Sequence, residues 1–367
     1  MVIRFQKFSI LIVAISLLSC SRDDEAVIGY EPIEIKNTWE EVTPEEVGVD
    51  GLQLNEILTE AELIERLRSV LIVRNSHLVL ERYFHGATSE DLFDVRSITK
   101  SIIATLIMIA YENGRLESLD QTIDLGPGYE LSDLQSQITF YHLLSMSSGI
   151  QWDEWESTSY NDWILAQDKI QHVLDLPFVA NPGEKFTYNS GAVHLLGRAL
   201  EVVLEEPLED FADEVLFNPL GIEKVQWEML SGIPNGGAGI DLRARDLARL
   251  GQLYLQNGQS GKQSIVGADR INQLVTPNYQ MSWSYPAVPS FSYGLLWWSI
   301  DAPVEAYLAW GYGGQFIVVI PSYHTVVVTT TNWRQLSLEG GPNHLTSKVL
   351  DIVFDEIVPI IVAGESD

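Results

Sequence analysis

Cysteine is almost absent from this chain of 367 residues; Cys20 is the only one. A single thiol excludes an intrachain disulfide and any zinc site made of several cysteines. Positive charge is scarce too, with Lys+Arg 22 against Asp+Glu 51 and a formal net charge of −29. With no basic stripe to neutralise phosphates, nucleic acid is disfavoured as a partner, as is charge-driven adhesion to anionic lipid. A solubilising acidic surface is the plain reading of the excess. The 7 histidines include no His-Glu-x-x-His and no close pair, so a zinc hydrolase lacks support. His142 and His194 lie on apolar helical stretches and read as packed core residues. Gly-x-Ser-x-Gly, usual in a Ser-His-Asp hydrolase, is missing as well. No internal repeat or low-complexity segment is present.

The N-terminus has the pattern of an export signal. Arg4 and Lys7 precede an apolar run, Phe8–Leu18, too short for the roughly 20 residues that span a bilayer. Leu17-Leu18-Ser19-Cys20 resembles the bacterial lipobox, which implies lipidation of Cys20 after removal of residues 1–19. The mature fold then has no free thiol. Ser21-Arg22-Asp23-Asp24-Glu25 resembles acidic signals for surface display. Residues 20–40 are polar and aperiodic and read as a tether. The expectation is an exported protein anchored by lipid to a bacterial membrane, with its folded domain over 41–360.

The stretch that organises this domain is 94–114. From Ile102 to Tyr111 nearly every residue is apolar, so a helix here has no solvent face and is predicted to be buried. Asn113-Gly114 supplies its C-terminal stop. At its start Ser97 and Lys100 are three apart and share one helical face. A hydroxyl beside an amine at a helix N-terminus suits a serine nucleophile with a nearby base.

Elsewhere the pattern predicts a helix near 51–68, then strands Val70–Val73 and Leu78–Leu80 joined by a turn at 74–77. A short helix is expected over Ile138–Leu144. Residues 150–163, with Trp152, Trp155 and Trp163 among acids, read as a long surface loop. Helices are expected over Val193–Leu204 and Pro207–Phe217, and over Leu247–Leu255 with Asp246 as its cap. Gly236–Gly239 reads as a flexible loop. Short β-rich segments, Ala306–Trp310, Gln315–Ile320 and Thr325–Thr331, precede a last amphipathic helix near Leu345–Val358. Strands at both ends with helices between suggest an α/β part, about 41–95 and 290–360, and an all-α part, about 96–289.

Three stretches together resemble the serine β-lactamase and penicillin-binding-protein superfamily. Ser97-Ile98-Thr99-Lys100 resembles its first motif. Tyr188-Asn189-Ser190 resembles the Tyr-x-Asn of its class C branch, and Tyr312-Gly313-Gly314 falls where Lys-Thr-Gly or His-x-Gly would lie. The resemblance spans roughly 40–358. It implies a β-lactamase/transpeptidase-like fold, an antiparallel sheet flanked by helices with an inserted helical domain and the site between them. Ser97 would form an acyl-enzyme, with Lys100 or Tyr188 as base. A neighbouring ammonium would lower the Tyr188 pKa. Ser190 would bind Lys100 or substrate, and the backbone N–H groups of Ser97 and Gln315 would form the oxyanion hole. Tyr312, Gly313 and Gly314 would contact substrate.

Departures from the motifs narrow that substrate. Tyr312 and Gly313 supply neither the cation nor the hydroxyl that helps the family bind a carboxylate, and Ser190 replaces an amide. Arg334 could substitute, but a surface charge is its simpler reading. The expectation is hydrolysis of uncharged esters, amides or short peptides, without metal or cofactor. Trp152, Trp155, Trp297, Trp298 and Trp310 are candidates for an acyl pocket, ordinary packing being the alternative. A β-lactamase, a D-Ala-D-Ala carboxypeptidase and a non-catalytic binding protein are the competing readings. Oligomeric state is not readable.

Overall fold

The computed structural model describes residues 27–154, 158–334 and 340–364. The expected export signal, Cys20 and Trp155 lie outside them. An eight-stranded antiparallel sheet is the frame. Its strands in chain order are β1 (Leu67–Arg74), β2 (His77–Tyr83), β3 (Tyr279–Gln280), β4 (Ser292–Tyr293), β5 (Trp298–Ile300), β6 (Ala306–Gly311), β7 (Gln315–Ile320) and β8 (Thr325–Thr331). Their spatial order is β3-β4-β5-β6-β7-β8-β1-β2. The N-terminal hairpin therefore joins the C-terminal strands through β1 and β8, which pair from Leu67↔Thr331 to Arg74↔Thr325. β7 and β8 are buried at every position. Their sequences, Gln-Phe-Ile-Val-Val-Ile and Thr-Val-Val-Val-Thr-Thr-Thr, lack polar alternation because both faces are covered.

Four helices matter most for the site. α1 is Gly51–Ala61, capped by the Asp50 side chain, which accepts from Leu52 and Gln53 N–H. It stops before the expected 68, because the chain must turn into β1 at Leu67. α2 (Ile98–Glu112) is buried from Ile98 to Ala110, as an all-round apolar helix requires. α3 (Ser190–Leu204) begins at the second motif, where the Asn189 side chain accepts from Ala192 N–H. α4 (Ala244–Leu255) packs on β7, β8 and β1.

Several expectations change at this level. α4 lies within 96–289, yet it covers the sheet, so this span is not purely a helical insert. Two strands of a three-stranded sheet, Ile240–Leu242 and Gln226–Trp227, pairing with Phe93–Asp94, also interrupt it, and the C-terminal strands of the large sheet already begin at Tyr279. Asp246 is not a cap; it is wholly buried inside α4, accepting from Arg243 at 2.8 Å and Arg249 at 3.0 Å. The presumed surface loop at 150–163 carries a helix, Thr158–Leu165, and its Trp163 is fully buried against Trp152 and His194. Aromatic burial there outweighs the acidic composition that suggested exposure. His142 is partly exposed and belongs to a capping box with Thr139, whereas His194 is a buried core residue. The last helix runs Pro342–Leu350, then a π segment Asp351–Ile357 and Val358–Ala363. No helix among the described residues is long and apolar enough to cross a membrane.

Candidate active site

Lys100 is the hub. It is 1% exposed, and its Nζ lies 2.9 Å from Ser97 Oγ, 2.9 Å from Ser190 Oγ and 2.5 Å from the Gly237 carbonyl oxygen. One helical turn of α2 sets the first contact. The start of α3 brings the second, and the Gly236–Gly239 segment brings the third. That segment is no flexible loop, since Gly237 and Ala238 N–H both donate to Asn235 Oδ1. A Cβ on Gly237 would stand 2.6 Å from the Ser190 carbonyl oxygen, so a side chain there would push Gly237 and its own carbonyl away from Lys100.

Ser97 occupies the cap position of α2 but makes no capping bond. Its hydroxyl is instead held between Lys100 and Tyr188. The preceding Arg96 has φ +52°, a conformation a long side chain rarely adopts, of the kind that concentrates at functional sites. Burial pushes the Lys100 ammonium down to about 8, opposed by the Glu154 carboxylate and assisted by Arg96. Burial pushes the Tyr188 phenol up, with Glu154 adding to the rise. That direction is opposite to the one expected from a neighbouring ammonium. Desolvation of the phenolate dominates, and Lys100 faces the Tyr188 ring, 5.0 Å from its centroid.

A cavity of about 510 Å³ opens over Ser97. The sheet side contributes Trp298, Trp310, Tyr312 and Gly313, and the helical side Glu154, Tyr160, Asn161 and Ile164. Tyr188 stacks on Trp298 with ring centroids 5.9 Å apart. The third-motif turn is pinned from behind. The Thr329 hydroxyl donates to Gly314 O at 2.9 Å, and that of Thr331 to Gly313 O at 2.7 Å. The Gln315 side chain is fully buried and bonded to Thr331 at both ends. A Cβ on Gly311 would meet the Val95 carbonyl at 2.2 Å; its absence lets β6 approach the turn that carries Ser97.

The model of the family described as Beta-lactamase matches residues 61–346, well over half the chain. The chain belongs to the beta-lactamase family. Among curated relatives, penicillin-binding protein 4 of Amycolatopsis lactamdurans is 29% identical over 141 residues, 38% of this chain and 37% of that protein. The chain thus aligns with little more than a third of that relative's length. A Bacillus anthracis protein named as a 6-aminohexanoate-dimer hydrolase superposes with TM-score 0.72 at 20% identity, covering 92% of this chain and 90% of that one. The octameric penicillin-binding protein homologue of Pyrococcus abyssi gives 0.67 at 21% identity, covering 83% and 77%. EstCE1, a hydrolase with promiscuous acyltransferase activity, gives 0.65 at 18%, covering 83% and 97%. At these identities the structures establish the shared fold, an antiparallel sheet with flanking helices.

All three stretches that resemble the family's motifs converge in space. Ser97, Tyr188, Tyr312 and Gly313 line the cavity; Lys100, Ser190, Gly314 and Gln315 stand behind its surface. Trp298 and Trp310 line it too. Trp297 does not; it is buried, and its Nε1 donates to the Tyr254 hydroxyl at 2.9 Å. Trp152 is buried and donates to Glu154 Oε2 at 2.5 Å. Arg334 is a surface charge, paired with Asp94 at 3.3 Å beside a separate hollow of about 380 Å³. Several cavity residues escaped the sequence reading, among them Arg96 and Glu154, which bear most directly on Ser97 and Lys100. Arg96 directly precedes Ser97, and that adjacency was an available signal. Glu154 sits in the misread 150–163 stretch and had none.

Proposed function

We propose that this protein is a serine hydrolase that forms an acyl-enzyme on Ser97 and cleaves uncharged ester or amide bonds. The observation that carries this reading is the 2.9 Å contact between Ser97 Oγ and a buried lysine whose pKa is pushed down to about 8. Near that pH a useful fraction of Lys100 is neutral amine. As Ser97 Oγ bonds to the substrate carbonyl carbon, its proton passes to Lys100 Nζ. The carbon–oxygen or carbon–nitrogen bond then breaks, and the leaving group takes up that proton. Tyr188 stays a phenol at neutral pH and serves as a proton donor rather than the first base. Water attacks the acyl carbon in the second half, and Ser97 regains its proton. The Ser97 and Gln315 backbone N–H groups would hold the oxyanion.

Charge in the cavity supports an uncharged substrate. Arg96 is the one cation among the described lining residues, and it already faces Asp94 at 4.0 Å and the Tyr160 hydroxyl at 3.1 Å. Glu154 and Glu228 add negative charge. A carboxylate-bearing penicillin or D-Ala-D-Ala peptide therefore gains little here.

The test is hydrolysis of p-nitrophenyl butyrate, wild type beside Ser97→Ala, with nitrocefin as the comparison. Turnover of the ester by the wild type alone is the expected result. Nitrocefin turnover rivalling the ester would reverse the substrate assignment, and equal rates for both proteins would favour a binding protein on this fold. We also propose export and lipidation at Cys20, on the strength of the Leu17–Cys20 pattern. Incorporation of a fatty-acid analogue in a bacterial host, lost in Cys20→Ser, tests it.

A further inference from the structure

Glu154 has no place in the motifs, yet it is bonded into the hub. Its Oε1 lies 2.5 Å from Ser190 Oγ; its Oε2 accepts from the Ser190 backbone N–H at 3.1 Å and from Trp152 Nε1 at 2.5 Å. Ser190 Oγ therefore stands between a carboxylate and Lys100 Nζ, with one proton to give. A carboxylate can only accept. A short O–H···O⁻ bond is also stronger than one to a neutral amine. Ser190 thus donates to Glu154 and must accept from Lys100. The Gly237 carbonyl can likewise only accept from Lys100. A neutral amine has two N–H bonds and one lone pair. Ser190 and Gly237 use both N–H bonds, so the lone pair is left facing Ser97.

We propose that Glu154 is a positioning residue, which holds Ser190 as an acceptor and so aims the basic lone pair of Lys100 at Ser97. This rests on Ser97 as nucleophile and Lys100 as base. The charged groups facing Lys100 are Glu154 and, from the turn before α2, Arg96; Tyr188 presents its ring.

Glu154→Gln gives the sharpest test. The amide oxygen is claimed by the two N–H donors of Ser190 and Trp152, which turns the amide NH₂ toward Ser190 Oγ. The hydroxyl then reverses and donates to Lys100, occupying the lone pair. The readout is the rate at which a fluorophosphonate labels Ser97, followed by mass spectrometry against pH. E154Q should label about 10²-fold more slowly than wild type, since general-base assistance is worth roughly 10²–10⁴. Adding S190A removes the captured proton and should restore labelling to within about tenfold of S190A alone, a coupling that a merely structural residue would not produce. The pH of half-maximal labelling should fall in E154Q/S190A, because the carboxylate that favours the ammonium is gone. Wild-type labelling by E154Q, or a double variant as slow as E154Q, overturns the proposal. So does a wild type that fails to label at pH 9. Rapid wild-type labelling without ester turnover removes the ester reading alone and leaves this inference standing.

Discussion

The sheet-side wall of the cavity, from Trp298 to Gln315, is held by strand ladders and a buried lock between Gln315 and Thr331. The helical wall is held by side-chain bonds among residues distant in sequence: Glu154 to Ser190, Arg96 to Tyr160, Lys100 to Gly237. Backbone pairing makes the first wall tolerant of side-chain change, because most of its bonds survive a substitution. The second wall has no such redundancy, and the proposed proton transfers run through it. Stability should therefore reside on the sheet side and reactivity on the helical side.

Changes at the hub should break this contrast most severely. Ser97→Ala is expected to cost roughly 10⁴–10⁶ in kcat/KM for an ester, with little change in melting temperature, read by steady-state kinetics and calorimetry. Lys100→Met should cost about 10²–10⁴ in kcat, yet be no less stable at neutral pH. The sign follows from the lowered Lys100 pKa. Below about 8 the lysine is charged in both folded and unfolded chains, and burial of the charge opposes folding fully. Between about 8 and 10.5 the unfolded chain binds the proton that the folded one has released, so wild-type stability rises with pH. Over that window it should gain about 3 kcal/mol that the methionine variant does not. Urea titrations at pH 7 and 10.5 check this, and a constant gap between the two proteins would contradict it.

On the sheet side, Gln315→Ala removes a buried amide and leaves Thr331 N–H without its acceptor. A loss of about 2–4 kcal/mol in stability is expected, with KM rising more than kcat falls. Tyr312→Ala is the mildest change. The side chain is 41% exposed, so stability should move by no more than about 0.5 kcal/mol. KM for a bulky ester should still rise severalfold. An unchanged KM would take Tyr312 out of the substrate wall.

Legibility in the sequence divides along the same line. β7 and β8 were readable to within a residue because their signal is local: uninterrupted β-branched and apolar runs between turns. α2 was readable for the same reason, and Ser97 and Lys100 came with it, since three residues of helix place them together. The 150–163 stretch was misread because local composition says nothing of which partners will cover a tryptophan. Glu154 was invisible because its partner Ser190 is 36 residues away.

By itself the sequence determined the family, the buried helix and the pairing of Ser97 with Lys100, because each rests on short-range spacing. Only the tertiary structure decided which atoms surround Lys100, and the proposed direction of its proton follows from them. It also reversed the expected shift of Tyr188, because desolvation depends on everything packed around a group and not on its neighbours in the chain. The acidic partner of Ser190 belongs to the same class of fact: three chain segments far apart in sequence meet at one nitrogen.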